Sequence, residues 1–366
     1  MSPRCCFLHT THVPLLFLLI LLLCQRVACK KVHTTSEIFS TSLILLNKPT
    51  ICSEVPADQP IILVKSSIGH KAERDAIRNT WAPHAYKKHQ MRTLFVLGSS
   101  QDVYALKRVL TEESQHKDLL ISFANDDYYN LTLKTIFTLY WVSIYCDDHW
   151  ALYVDDDTLV NPDKLAAHIA LTKKTDSIHC AVLPHKPVIR DEASKWFMPM
   201  SVWNASHYPD YCLGIGFLIP PKMAGRLHAS AVSNATLPKL WIDDVFVTGI
   251  AASTAKISLT NPGLFACCGN RSVWRARYND MLVFGEIKPP SELQKIWNNV
   301  TNSTLLHDAI PRPVQRPDLH FQPSYSFLYL MLIVIVIVTV VIANFGLRSN
   351  VTVIYRPLKA KIIDRL

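Results

Sequence analysis

Residues 150–162, WALYVDDDTLVNP, decide how the rest of the chain is read. The stretch from Trp150 to Val154 is apolar and runs straight into three acids, Asp155-Asp156-Asp157, before an Asn161-Pro162 pair. A short apolar run bounded in this way is a buried strand reaching a polar edge, and the Asn-Pro pair opens a helix with proline in its tolerated first turn. Three adjacent carboxylates at such a position repel one another and lose hydration. A dication removes that penalty. Mg²⁺ and Mn²⁺ prefer oxygen ligands and commonly take one or two carboxylates plus substrate phosphates. The competing reading is a solvated acidic loop at a strand end.

Outward from this stretch, PIILVKSS (60–67), TLFVLGSS (93–100) and DLLISFA (118–124) read as further strands. HKAERDAIRNTW (70–81) reads as a helix with Ile77 and Trp81 on one face, and residues 101–117 and LTLKTIFTLYWVSIYC (131–146) read as two more. Alternating strand and helix predicts an α/β layer with a mostly parallel sheet flanked by helices. Ligands of such sheets gather at the carboxyl ends of the strands, where the acidic run lies. No GxGxxG or GxxxxGK[ST] follows a strand, which removes the dinucleotide and P-loop readings. Hydrophobic residues make up 49% of the 366 and charged ones 18%, a composition that supports a large core and excludes a disordered chain.

The two ends supply the compartment. Residues 13–24, VPLLFLLILLLC, have the length of a signal-peptide core, with Val27-Ala28-Cys29 beyond it; the segment is either a cleaved signal or a retained anchor, 1–29. Tyr325 to Leu347 carries no charge over 23 residues, roughly 34 Å of helix, against a hydrocarbon core of about 30 Å. The tail 348–366 then carries Arg348, Arg356, Lys359, Lys361 and Arg365, which favours the cytosolic side. These five account for much of the net charge of +9, so no nucleic-acid partner is inferred. The body is therefore expected to be lumenal: a stem at 30–58 and a catalytic domain at 59–310. Seven N-x-S/T sequons, at Asn130, Asn204, Asn234, Asn270, Asn299, Asn302 and Asn350, agree, the last being past the span. In an oxidising lumen Cys52, Cys146, Cys180, Cys212, Cys267 and Cys268 become disulfide candidates, with no pairing preferred.

The ordered blocks RDAIRNTW (74–81), LFVLG (94–98), DDYYNLTLKT (126–135), ALYVDDDTLVNPDKL (151–165), YPDYCLGIGF (208–217) and DDVFVTG (243–249) resemble glycosyltransferase family 31, the β-1,3-galactosyltransferases and β-1,3-N-acetylglucosaminyltransferases. The resemblance runs from about residue 58 to 298 and implies the A-type nucleotide-diphospho-sugar transferase fold. It implies that Asp155 and Asp157 match an element holding the donor diphosphate through Mn²⁺ or Mg²⁺. Asp157 is then the direct metal ligand, Asp155 touches metal or nucleotide, and Asp156 belongs to the donor site. Arg74 and Arg78 match a basic pair near the nucleotide; four apart on a helix they share a face, and an ion pair with Glu73 or Asp75 is the structural alternative. Tyr208, Pro209, Gly214 and Gly216 match a loop beside the donor sugar, where glycine admits close backbone approach.

Asp243-Asp244 matches an acid pair whose second member is the catalytic base, with a helix cap as the other reading of Asp243. One base suffices for attack of an acceptor hydroxyl on C1 with inversion. Two departures stand out. Asp243 lies where a glutamate is usual, and Met281-Leu282-Val283-Phe284 stands where the resemblance implies a metal-binding histidine. His179, His185 and His207 are loose substitutes. One of Trp196, Trp203 and Trp241 is expected to stack on a sugar, and Asn130 to cap a helix or carry a glycan. The expected activity is an inverting β-1,3-hexosyltransferase in the Golgi or endoplasmic reticulum membrane. It would move galactose or an N-acetylhexosamine from a UDP-sugar such as UDP-galactose to an acceptor glycan on protein or lipid. The alternative is a catalytically inactive lumenal protein that binds glycan or nucleotide on the same scaffold.

Overall fold

The computed structural model describes residues 44–172, 175–234, 239–267 and 277–307. Both apolar terminal segments, the tail, Asn270, Asn350 and Cys268 lie outside the described residues. No helix among the described residues is long and apolar enough to cross a membrane.

Eight strands make one sheet. They are β1 (Ile44–Leu46), β2 (Ile61–Lys65), β3 (Arg92–Ser99), β4 (Leu119–Asn125), β5 (Ala151–Asp155), β7 (Ser177–Leu183), β8 (Tyr211–Ile219) and β9 (Ser258–Thr260). A short β6 (Leu159–Val160) leaves it to pair with β11 (Val283–Gly285), which runs parallel to β10 (Phe265–Cys267). The main order is β1-β4-β3-β2-β5-β8-β7-β9. The centre, β4-β3-β2-β5, is parallel, as the strand–helix alternation predicts. Beyond β5 the prediction of a mostly parallel sheet does not hold, because β8 runs antiparallel to both β5 and β7. The sheet is mixed.

Parallel strands covered on both faces read as continuous apolar runs, and β2 is one. Its residues alternate between two cores, Ile61 and Leu63 facing one, Ile62 and Val64 the other. Helices α1 (Lys71–Arg78), α2 (Trp81–His89), α3 (Val103–His116), α4 (Leu131–Tyr145), α5 (Pro162–Leu171), α6 (Met223–Val232), α7 (Val245–Ala251) and α8 (Pro290–His307) flank the sheet. On one face Ile136, Phe137 and Trp141 of α4 join Leu227 of α6 and Phe246 of α7; on the other Ile77 and Trp81 meet Leu165, Leu293 and Ile296. Trp81 is fully buried and donates its Nε1 hydrogen to Thr158 O at 3.0 Å. Truncating such an indole costs about 3–5 kcal/mol.

Part of the expected stem belongs to the domain. Strand β1 pairs with β4, and Cys52 is bonded to Cys146 at the end of α4. Cys180–Cys212 ties β7 to β8. The sheet order places a topological switch at β2: β3 lies on one side and β5 on the other. The crevice outside the carboxyl ends of β2 and β5 is where such sheets take ligands.

Candidate active site

The register of the two central strands sets Lys65, the last residue of β2, beside Asp155, the last residue of β5. The Lys65 ammonium is 8% exposed and lies 3.0 Å from Asp155 Oδ1 and 2.7 Å from Asp243 Oδ2. Thr135 of α4 donates its hydroxyl to the same Asp243 oxygen at 2.7 Å. Burial opposes the ammonium charge, but the two carboxylates outweigh it and raise the Lys65 pKa. Burial likewise opposes ionisation of Asp243, yet the charge and hydrogen bond of Lys65 hold its pKa below the usual value.

Asp244 lies just beyond this pair and caps α7, a segment of wider, π-type winding. Its Oδ1 accepts from Val245 N at 2.8 Å, so the cap considered for Asp243 falls to Asp244. The other oxygen, Oδ2, faces Gly214: a Cβ there would sit 3.1 Å from it. Burial, then repulsion by Asp243, pushes the Asp244 pKa to about 7, against some relief from Lys65. Asp155 rises to about 6, chiefly through burial, with Lys65 opposing and Asp243 and Asp157 adding repulsion. The expected sugar-side loop at Gly214 and Gly216 is a strand. Gly214 leaves room for the Asp244 carboxylate, and a Cβ on Gly216 would meet Tyr153 O at 2.6 Å, because β8 lies close against β5.

Asp156 and Asp157 point elsewhere. Asp156 Oδ2 accepts from Ser66 Oγ at 2.7 Å and meets His70 Nδ1 at 2.9 Å. That hydrogen bond raises the His70 pKa despite partial burial. Asp157 Oδ2 is 3.1 Å from the exposed Lys288 ammonium, and its carbonyl accepts from Ile287 N at 2.8 Å. Lys288 lies in the segment that follows β11. Phe284, in the middle of that strand, is buried opposite Leu159 and is a core residue.

Arg74 and Arg78 share a helix face and turn it inward. Arg74 has no exposed surface; its Nε and one terminal nitrogen each reach Glu112 at 2.7 Å, and the other donates to Ser66 Oγ at 3.1 Å. Arg78 forks onto Asp118 at 2.8 Å twice and reaches Asp75 at 3.0 Å. Of the two partners considered from sequence, Asp75 is used, for Arg78. Arg74 connects to the acidic run through Ser66. Lys134 of α4 locks the same turn, donating to Ser66 O at 2.7 Å and Asp126 Oδ1 at 2.5 Å.

A cavity of about 430 Å³ opens at the carboxyl ends of β2, β3 and β4, lined by Ser67, Gly69, Ser100, Asp102, Asn125 and Asp127 among others. On the far side of Asp244, Tyr208 is buried with no partner for its hydroxyl among the described residues. Of the three substitute histidines, His179 pairs with His168 at 2.8 Å, and His185 stacks on His207 at 4.3 Å between ring centres. Asn130 heads α4, but its side chain donates back to Asn125 O at 3.2 Å instead of capping the helix.

Sequence reasoning missed Lys65, Thr135, Lys134, His70 and Lys288. A lysine closing an otherwise apolar strand was the available signal for Lys65, since a central strand end places that ammonium among whatever its neighbour carries. The other four are brought in by tertiary packing.

The family model for galactosyltransferases matches residues 72–263, which include this whole carboxylate cluster. The chain belongs to the galactosyltransferase family. It is 29% identical over 263 residues to beta-1,3-galactosyltransferase brn of Drosophila melanogaster, covering 69% of this chain and 78% of that protein. It is 28% identical over 270 residues to beta-1,3-galactosyltransferase 1 of Mus musculus, covering 70% and 78%. Beta-1,3-galactosyltransferase 5 of Pan paniscus is 32% identical over 201 residues, 54% of this chain and 65% of that one. Among solved structures, the galactosyltransferase LgtC in complex with donor and acceptor sugar analogs aligns at 12% identity and a TM-score of 0.38, over 69% of this chain and 97% of that one. This family member is a glycosyltransferase.

Proposed function

We propose that this glycosyltransferase moves galactose, or an N-acetylhexosamine, from a UDP-sugar to the 3-hydroxyl of an acceptor glycan with inversion at C1, and that Asp244 is the base. The observation that carries the reading is the placement of Asp244. One oxygen is pinned by Val245 N, the other faces the space kept by Gly214, and its pKa of about 7 is matched to proton transfer near neutrality. The acceptor O–H proton passes to Asp244 as its oxygen forms the new bond to C1. The C1–O bond to the diphosphate breaks, and the electron pair leaves with the phosphate. Lys65 keeps Asp155 and Asp243 ionised and fixed, so the proton goes to the one acid without a cation. The cavity lined by Ser67 and Asp126 is assigned to the nucleoside; Ser66, one residue before that lining, donates to Asp156 of the acidic run.

Among the described residues no group of three or more His, Cys, Asp or Glu side chains is placed to hold a metal ion. The cation in this proposal is shared between Asp157 and the donor's phosphates, with Asp155 as second contact, and would take the place of the exposed Lys288 ammonium that lies 3.1 Å from Asp157. Mn²⁺ or Mg²⁺ held in that way would supply positive charge to the departing diphosphate. The disulfides Cys52–Cys146 and Cys180–Cys212 support folding in an oxidising compartment such as the Golgi or endoplasmic reticulum lumen.

The test is turnover of UDP-galactose and UDP-N-acetylglucosamine by the full chain in detergent, with Asp244→Asn and Asp157→Ala beside it. Each variant is expected to lose at least about a hundredfold in rate. Rates within about twofold of wild type in both variants would refute the assigned roles.

A further inference from the structure

The lip of the site next to Asp244 is aromatic. Tyr128 and Tyr129 form a short turn ahead of α4, 44% and 65% exposed. Their rings meet edge to face at 5.9 Å, and Tyr129 meets Trp241 at 5.4 Å. Trp241 stands three residues before Asp244; it is half-buried, packs against the core on the α4 side of the sheet, and its buried Nε1 has no partner among the described residues. Helix α4 ties this edge to the acids: Thr132 donates to Leu240 O at 2.8 Å, and Thr135 donates to Asp243. Tyr128 feels the cluster directly, since burial and then the charges of Asp243, Asp244 and Asp155 raise its phenol pKa. Two exposed tyrosine rings beside this acid cluster, one of them backed by a half-buried indole, have a use beyond packing, because ligand sites pair apolar and aromatic walls with a few polar groups.

We propose that Tyr129 and Trp241, with Tyr128, form the platform on which the acceptor sugar stacks, and that this acceptor is a neutral hexopyranose. The inference rests on the reading of Asp244 as base. A pyranose ring offers a face of C–H groups to the aromatic surfaces and turns its hydroxyls toward the acids. Asp126 is already paired with Lys134, so the charge felt at Tyr128 is that of Asp243, Asp244 and Asp155, three carboxylates that among the described residues share the single cation Lys65. An anionic sugar at the same place meets that excess of negative charge, which selects against it.

The experiment uses the full chain with UDP-galactose and UDP-N-acetylglucosamine as donors. The acceptors are benzyl β-galactoside, benzyl β-N-acetylglucosaminide and, as the anionic probe, benzyl β-glucuronide. Tyr129→Ala, exposed and outside both cores, is expected to raise the acceptor KM about tenfold, the scale of one aromatic contact. Its donor KM should change by much less, and Tyr129→Phe should restore the acceptor KM. The glucuronide should be the poorest acceptor. Three results overturn the proposal: an acceptor KM within about twofold of wild type in Tyr129→Ala, an equal rise in donor KM, or turnover and binding of the glucuronide but of no neutral glycoside. Asp244→Asn runs in parallel. If it keeps full rate, the base assignment fails; if it is inactive while Tyr129→Ala is normal, only the platform fails.

Discussion

Two buried charge clusters lie side by side in this molecule, and they are built on opposite principles. In the first, Arg74, Arg78 and Lys71 face Glu112, Asp118 and Asp75, three cations to three acids, with forked hydrogen bonds onto Glu112 and Asp118. Burial would raise the Glu112 carboxyl, but the two guanidiniums win and bring its pKa to about 2. In the second, Lys65 alone serves Asp155 and Asp243, with Asp244 beside them, and the shortfall of positive charge leaves Asp155 at about 6 and Asp244 at about 7. Matched charge makes a fixed strut; unmatched charge makes a group that exchanges protons near neutrality. Ser66, the residue after Lys65, accepts from Arg74 of the first cluster and donates to Asp156, the neighbour of Asp155.

The comparison breaks most visibly at Asp244. Asp244→Asn keeps shape and removes the proton acceptor, and kcat should fall by about 10²–10⁴-fold in a UDP-sugar transfer assay. Next come the cations. Lys65→Met leaves the buried Asp243 and the part-exposed Asp155 without their cation and should lose about 3 kcal/mol in urea denaturation, nearly all of it from Asp243. Arg74→Met leaves Glu112 with Arg78 still bound and should lose less; it should also leave the midpoint of the pH–rate profile in place, which Lys65→Met should not.

The pH dependence separates the clusters by sign. Transfer should rise with pH through about 7, as Asp244 loses its proton. Asp244 holds its proton more tightly folded than unfolded, so its contribution to stability falls as pH rises from its unfolded pKa, about 3.9, to about 7. Glu112 is the reverse: its contribution is present above its unfolded pKa near 4.5 and is lost as pH falls toward about 2. Thermal unfolding across pH 2–8 of wild type, Asp244→Asn and Glu112→Gln would show both slopes and their removal. The smallest effect sharpens the geometry. Gly214→Ala sets a methyl 3.1 Å from Asp244 Oδ2 and should lower kcat about tenfold with little change in thermal midpoint.

The central sheet was readable because buried parallel strands are continuous apolar runs, and PIILVK, TLFVLG, DLLISFA and ALYVD all occur where strands form. Asp155 to Asp157 were readable as charges that need partners, and each takes a different one: Lys65, then Ser66 with His70, then Lys288. The orientation of β8 was not readable. Its glycines suggest a turn, and only the close approach of β5 shows why they stand inside a strand. Arg74 and Arg78 were legible as a pair on one helix face, but not which acids they meet, since Glu112 and Asp118 come from 38 and 40 residues away. Lys65 depended on register, a property of two strands that neither carries alone.

The Cys52–Cys146 bond has a mechanical consequence. The chain enters the sheet through β1, an edge strand of three residues held only against β4. A pull on residues ahead of Ile44 can peel that strand, but the tension then runs through sulfur into the end of α4 and not along the backbone to β2. Strand β2 and its Lys65 are spared that load, which enters α4 at the end away from Thr135.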